Sequence, residues 1–238
     1  VTNIVIDYGN SRIKVGVFQD SILSKQESLS TDELKVFLSQ PHDNVIVSSV
    51  KADGDEVLNL SHASGKKIAL TPQTWLPIQI QYSTPQTLGV DRIASACGAR
   101  QLFPDDDCLV IDLGTCINYE LIDRSGVYHG GIISPGMNMR LKAMHTFTAR
   151  LPLVQPVDNP TLIGDSTIAC MQSGVMNGIL EEMRGIIQRL KLEHPHLRVI
   201  LTGGDYPFFE NQLKPSIFAA PELVLLGLNR ILIHNVKI

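Results

Sequence analysis

The 238-residue chain has few cysteines, no dense basic cluster and no long apolar run, and each lack removes a class of function. Its four cysteines, Cys97, Cys108, Cys116 and Cys170, form no C-x-x-C pair. That argues against a disulfide framework or a zinc site and fits a reducing cytoplasm. The seven histidines lack metal-ligand spacing; His194 and His196, flanking Pro195, read as solvated side chains in a helix-to-strand loop. No apolar run approaches the roughly 20 residues that cross a bilayer, so no membrane partner is expected. Val1-Thr2-Asn3-Ile4-Val5-Ile6 has no basic leader or small-residue cleavage site and reads as a first strand rather than a signal peptide. Lys and Arg are scattered, Lys66-Lys67 being the densest pair, and the formal net charge is −4. So little clustered positive charge cannot neutralise a track of phosphates, and no nucleic-acid partner is expected.

What the chain does have is core-forming composition, 44% hydrophobic and 18% charged, and an internal echo. Ile4-Val5-Ile6-Asp7-Tyr8-Gly9-Asn10-Ser11 is answered by Leu109-Val110-Ile111-Asp112-Leu113-Gly114-Thr115-Cys116. Each is an apolar β-branched run, then Asp-x-Gly, then a small polar residue. A second strand follows each copy, Ile13 to Phe18 and Ile117 to Ile122, so both read as hairpins with the Asp and Gly at the turn. Copies half a chain apart suggest two similar α/β lobes, residues 1–108 and 109–238, each offering a glycine turn to a shared cleft.

The intervening pattern alternates helix and strand. The spacing predicts a helix from Asp32 to Gln40 capped by Ser30 or Thr31, buried strands at Val45–Val50 and Lys67–Thr71, and a helix from Gly89 to Gln101. In the second half Gly126–Ile133 extends a sheet and Pro135-Gly136 turns into a helix ending near His145. Ile168, Met171, Val175, Ile179, Met183, Ile186 and Leu190 recur at helical spacing along Ser166–Leu192, as core or as a subunit contact. A strand, Val199–Thr202, and a closing helix, Glu222–Ile233, complete an α/β class.

Asp7-Tyr8-Gly9-Asn10-Ser11 has the makings of a phosphate cradle. Gly9 permits close approach, backbone N–H groups with the Asn10 and Ser11 side chains can face phosphate oxygens, and Lys14 adds a point charge. Asp7 repels an anion, so a Mg²⁺ held through water would complete the site. Taken alone, these are also the residues of an ordinary hairpin turn. Asp112-Leu113-Gly114-Thr115 repeats the chemistry, with Thr115 as a hydroxyl donor. A third turn, Thr202-Gly203-Gly204-Asp205, leaves bare backbone that suits a flat adenosine ring.

Three such turns in this order resemble the actin, hexokinase and Hsp70 superfamily, whose ribonuclease H-like lobes carry mixed sheets and close on a nucleotide. A more specific resemblance follows from Tyr82-Ser83-Thr84-Pro85-Gln86-Thr87-Leu88-Gly89-Val90-Asp91-Arg92, which is similar to the acceptor motif of type III pantothenate kinases. Gly130-Gly131 with Pro135-Gly136, Thr148 to Pro152, and Gly164 to Thr167 leading to Gly174 and Gly178 add to it. The resemblance implies ATP and pantothenate as substrates and a homodimer. It implies Asp91 as general base, Arg92 on the substrate or the moving phosphoryl group, and Tyr82, Gly89, Val90 and Thr167 at the pantothenate pocket, Thr167 reaching in from the second subunit. Residues Asp7 to Lys14, including Arg12 and Ile13, with Thr115, Gly203 and Gly204, would bind ATP. Asp112 would hold a monovalent cation, K⁺ or NH₄⁺. The family's second phosphate motif reads Asp-x-Gly-Thr-Ala-x-Thr-x-Asp, and here its last five positions are Cys116, Ile117, Asn118, Tyr119 and Glu120. Glu for Asp moves a carboxylate by about one methylene, which bears on ion geometry.

Overall fold

A computed structural model describes residues 1–9, 12–49 and 53–236. Its first three strands form a meander. β1 (Thr2–Tyr8) and β2 (Ile13–Gln19) pair antiparallel from Thr2↔Gln19 to Tyr8↔Ile13. β3 (Ile22–Leu29) continues against β2 as a largely exposed edge. Its sequence, with Lys25 and Glu27 at the centre, carries no apolar period, and charged side chains are how an exposed edge resists pairing with another chain. No strand is expected there from pattern alone.

α1 (Thr31–Leu38) starts on a capping box: Glu33 N donates to Ser30 Oγ at 3.3 Å while Ser30 N donates to the Glu33 carboxylate at 2.7 Å. It buries Leu34 and Leu38, four residues apart on one face, each worth about 1.5–3 kcal/mol of burial. β4 (Asn44–Ser49) lies parallel to β1, and after α2 (Gly54–Asn59) β5 (Lys67–Ala69) lies parallel to β4. The expected last residue of the β4 strand, Val50, lies outside the described residues. This mixed sheet runs β3-β2-β1-β4-β5. β6 (Gln79–Ile80) and a short 3-10 turn lead to α3 (Val90–Leu102).

The echo reappears as β7 (Cys108–Leu113) and β8 (Cys116–Ile122), joined by two residues. β9 (Val127–Pro135), α4 (Met137–Thr146), α5 (Thr167–Glu193), β10 (Arg198–Thr202), α6 (Pro207–Leu213), β11 (Phe218–Ala219) and α7 (Leu223–Val236) follow. The second sheet has the order β11-β10-β7-β8-β9-β6, with β7, β10 and β11 mutually parallel.

The chain forms two compact units, and a single boundary after residue 108 does not describe them. The first comprises Val1–Asp105, Ile122–Gly130 and Glu222–Ile238; the second comprises Asp106–Leu121 and Gly131–Pro221. The closing helix belongs to the first unit because α7 packs on α3. A Cβ at Gly227 would lie 1.8 Å from Ala94 O, so only glycine lets the two backbones approach this closely. A buried amide ladder ties α7 to the sheet: Asn44 donates to Asn3, Asn3 to Asn229 and Asn229 to Asp20 O, at 2.9–3.0 Å. In the second unit Met171, Val175, Ile179 and Met183 of α5 are buried with Leu109, Ile111 and Leu201. The apolar stripe of α5 is therefore core, with Ile168 alone of its expected members half exposed. Among the described residues no helix is long and apolar enough to cross a membrane.

Candidate active site

The β1–β2 register sets Asp7 directly opposite Lys14 at the end of the hairpin, so the two side chains share a face. Gly9 N donates to Arg12 O at 3.0 Å, closing the turn; Asn10 and Ser11 lie outside the described residues. Burial pushes the Asp7 carboxyl up to about 6, the Lys14 ammonium pulls it down and the Asp91 carboxylate pushes it up. The first unit thus brings Lys14 and Asp91 within electrostatic reach of Asp7. A buried carboxylate that feels a second carboxylate carries charge that a divalent cation would relieve. Among the described residues no group of three His, Cys, Asp or Glu side chains gathers for a metal. One or two carboxylates suffice for Mg²⁺ when phosphate oxygens and water supply the remaining ligands.

Asp91 sits in the first turn of α3, where the helix dipole favours a carboxylate. Its Oδ1 accepts from Arg92 N at 2.9 Å and folds back over Gly89; a Cβ there would lie 2.6 Å from that oxygen. Arg92 is 8% exposed, so its guanidinium is not a solvated surface charge. Its Nη2 donates to the hydroxyl of Tyr128 at 3.0 Å, and its guanidinium carbon stands 5.9 Å from the centroid of the Tyr82 ring. Tyr82, Val90, Asp91, Arg92 and Tyr128 therefore cluster around the start of α3. Tyr128, fully buried on β9, has no signal in the sequence, because it serves the site from 36 residues away.

In the second unit the Asp112–Thr115 turn is held from two sides. Gly114 N donates to Cys116 O at 3.0 Å, Gly136 N donates to Thr115 O at 3.1 Å, and Asp205 N donates to Leu113 O at 2.9 Å. Gly203 has φ +93°, and a Cβ there would come within 2.5 Å of Asp112 Oδ1. The second and third glycine turns are thus adjacent, with Thr115 and Gly204 exposed. Gly136 is a site-building residue whose Pro-Gly signal shows in the sequence but whose contact does not. Thr167 belongs to a different part of this unit, an open pocket with Met144, Leu151, Asp165 and Cys170 at the start of α5. His194 is not the solvated side chain expected: it pairs with Asp107 at 3.0 Å and is only 23% exposed. A loop residue beside a buried acid is drawn inward, and sequence spacing does not report that.

The fold is that of the actin-like kinases. A glucokinase from an Antarctic psychrotroph matches with a TM-score of 0.51 at 12% identity, over 98% of this chain and 99% of that one. A Campylobacter jejuni protein described as a Baf family transcriptional activator matches with a TM-score of 0.67 at 22% identity, over 99% and 100%. Sequence narrows the class. The type III pantothenate kinase family profile matches residues 3–189. Type III pantothenate kinases of Cytophaga hutchinsonii and Phocaeicola vulgatus are 44% and 42% identical, over 98% and 99% of this chain and 100% of each relative. The chain belongs to the type III pantothenate kinase family.

Proposed function

We propose that this chain transfers the γ-phosphoryl of ATP to the primary hydroxyl of pantothenate, giving 4'-phosphopantothenate, the first step of coenzyme A biosynthesis. Family membership over almost the whole chain supports the substrate. The observation that carries the chemistry is the gathering of Asp91, Arg92 and Tyr82 at the start of α3, with Lys14 and Asp91 in electrostatic reach of Asp7. The acceptor oxygen attacks the γ-phosphorus, the bond to the β–γ bridging oxygen breaks, and ADP leaves with that electron pair. Asp91 orients the hydroxyl and takes its proton late, as suits a loose phosphoryl transfer. Arg92, held by Tyr128, faces the charge of the substrate or moving phosphoryl group.

Residues Asp7 to Lys14, Thr115, Gly203 and Gly204 bind ATP in this reading. Asp7 would hold Mg²⁺, which would neutralise charge on the phosphates. Asp112 takes K⁺ or NH₄⁺. Thr167 serves the acceptor pocket of a second copy. Support for a homodimer comes from Phe147, Leu162, Ile163 and Ile168 of the second unit, 86%, 74%, 84% and 50% exposed. A sedimentation mass of one 26.2 kDa chain would refute the dimer. Four free cysteines fit a cytoplasmic enzyme.

An assay coupled to ADP release, run with and without pantothenate, first in K⁺ and then in Na⁺, tests the activity. Release should require pantothenate and fall in Na⁺; release indifferent to pantothenate overturns the acceptor. Asp91→Asn should bind ATP by calorimetry yet lose about 10³-fold or more in turnover. Retained turnover disposes of Asp91 as base. The likeness to the Campylobacter protein supports a second reading, a nucleotide-responsive binding module without turnover. Absence of heat on titrating pantothenate into protein with a non-hydrolysable nucleotide would favour it.

A further inference from the structure

Away from the residues assigned above, four polar side chains of the second unit form one hydrogen-bonded network. Tyr119, fully buried in β8, donates its hydroxyl to Glu182 Oε1 at 2.8 Å. Burial, then the bond to Glu182, pushes that hydroxyl up, so it remains a donor. Glu182, midway along α5, accepts on Oε2 from Arg140 Nη2 at 2.6 Å and from Ser134 Oγ at 3.2 Å. Arg140 Nη2 also donates to Ser134 Oγ at 2.8 Å, and its Nε donates to Pro135 O at 2.7 Å.

An exposed Arg–Glu pair contributes little to stability. This one is 21% and 27% exposed, is fixed by three further hydrogen bonds, and grips main chain. What it grips is the corner between β9 and α4. One residue past Pro135, Gly136 N donates to Thr115 O, and a Cβ at Gly136 would lie 2.2 Å from Gly114 O and 2.6 Å from Thr115 O. Corner and second glycine turn are in backbone contact, with no slack for one to shift without the other. A path of polar and backbone contacts therefore runs from α5 through Glu182, Arg140 and Pro135–Gly136 to Thr115.

We infer that Glu182 and Arg140 are positioning residues for the second glycine turn, holding the Ser134–Gly136 corner so that Thr115 meets the nucleotide phosphates at a fixed place, a role that rests on reading Thr115 as a nucleotide contact. Neither side chain needs to touch ATP. A displacement of the turn by well under the width of an atom is enough to weaken aligned phosphate contacts.

Arg140→Lys keeps the charge but not the two-sided grip on Pro135 O and Glu182, and Glu182→Gln keeps the shape but not the charge. Both should raise KM for ATP about fivefold, about 1 kcal/mol, and leave KM for pantothenate and the melting temperature close to wild type. Mg-ADP binding by calorimetry gives a readout independent of turnover. Thr115→Ala is measured in parallel. If Thr115→Ala weakens ATP and both conservative variants do not, the positioning role falls and the turn's assignment stands. If none of the three changes ATP binding, the assignment of the turn itself has failed. Both KM values rising in step with a lower melting temperature would make the network purely structural and overturn the inference.

Discussion

The two Asp-x-Gly turns share a motif, and the structure uses them differently. In the first, Asp7 faces Lys14 across the hairpin and feels Asp91, so the turn is a concentration of charge. In the second, Asp112 lies beside Gly203 and pairs in register with Thr202, while Gly136 packs against Gly114 and Thr115. That turn is a packing junction. A repeated sequence repeats the hairpin because the hairpin depends on a few neighbouring residues. Which distant groups reach each turn does not follow from the repeat, because they come from elsewhere in the chain.

The largest effect that can break this comparison comes from the two aspartates. Asp7→Asn should lower turnover about 10²–10³-fold and weaken the response to Mg²⁺, as befits the charged turn. Asp112→Asn should cost about tenfold and alter the response to K⁺ or NH₄⁺. Steady-state kinetics over both cations decides; identical Mg²⁺ responses would make the turns equivalent.

Next come the glycines that distinguish the packed turn. Gly136→Ala should destabilise the fold by about 3 kcal/mol, because its methyl group would meet two backbone oxygens. Gly114→Ala, whose nearest neighbour stands at 3.8 Å, should cost below about 1 kcal/mol. Urea unfolding separates them, and equal losses would remove the packing distinction. A smaller effect is expected at Tyr128→Phe, which deletes one hydrogen bond to the Arg92 guanidinium. It should lower kcat/KM for pantothenate about threefold to tenfold with KM for ATP unchanged.

The smallest effect lies in the β8–β9 hairpin, an Asp-containing turn with no assigned role. Burial opposes the charge of Asp123, but the side chains of Ser125 and His129 and the amides of Val127 and Ser125 outweigh it and hold the carboxyl down to about 2. A group depressed on folding contributes stability that is fully present above its ordinary value, 3.8, and lost as pH falls towards 2. Melting temperatures of wild type and Asp123→Asn should therefore differ most above about pH 4 and converge towards pH 2.

Much of this was readable before any coordinates. The echo located both hairpins, and of the two caps expected for α1, Ser30 or Thr31, the structure uses Ser30. The periodic apolar residues of α5 predicted a long helix, and the structure resolves that stripe as core. Gly89 marked the start of α3. Less was legible where polarity or brevity hides structure: β3 is a charged edge, and β6 and β11 are two residues each. Tyr128, Arg140 and Glu182 were invisible because their partners are remote, 63 residues apart for Tyr119 and Glu182.

By itself the amino-acid order determined the local events: where strands break into glycine turns, where helices are capped, and which faces are apolar. These are settled within a few residues by backbone sterics and side-chain period. Tertiary structure alone decided that Asp91 comes within electrostatic reach of Asp7, which turn is gripped by neighbouring backbone, and that α7 closes the first unit. Those outcomes depend on contacts between segments far apart in the chain, and no local preference encodes where such segments meet.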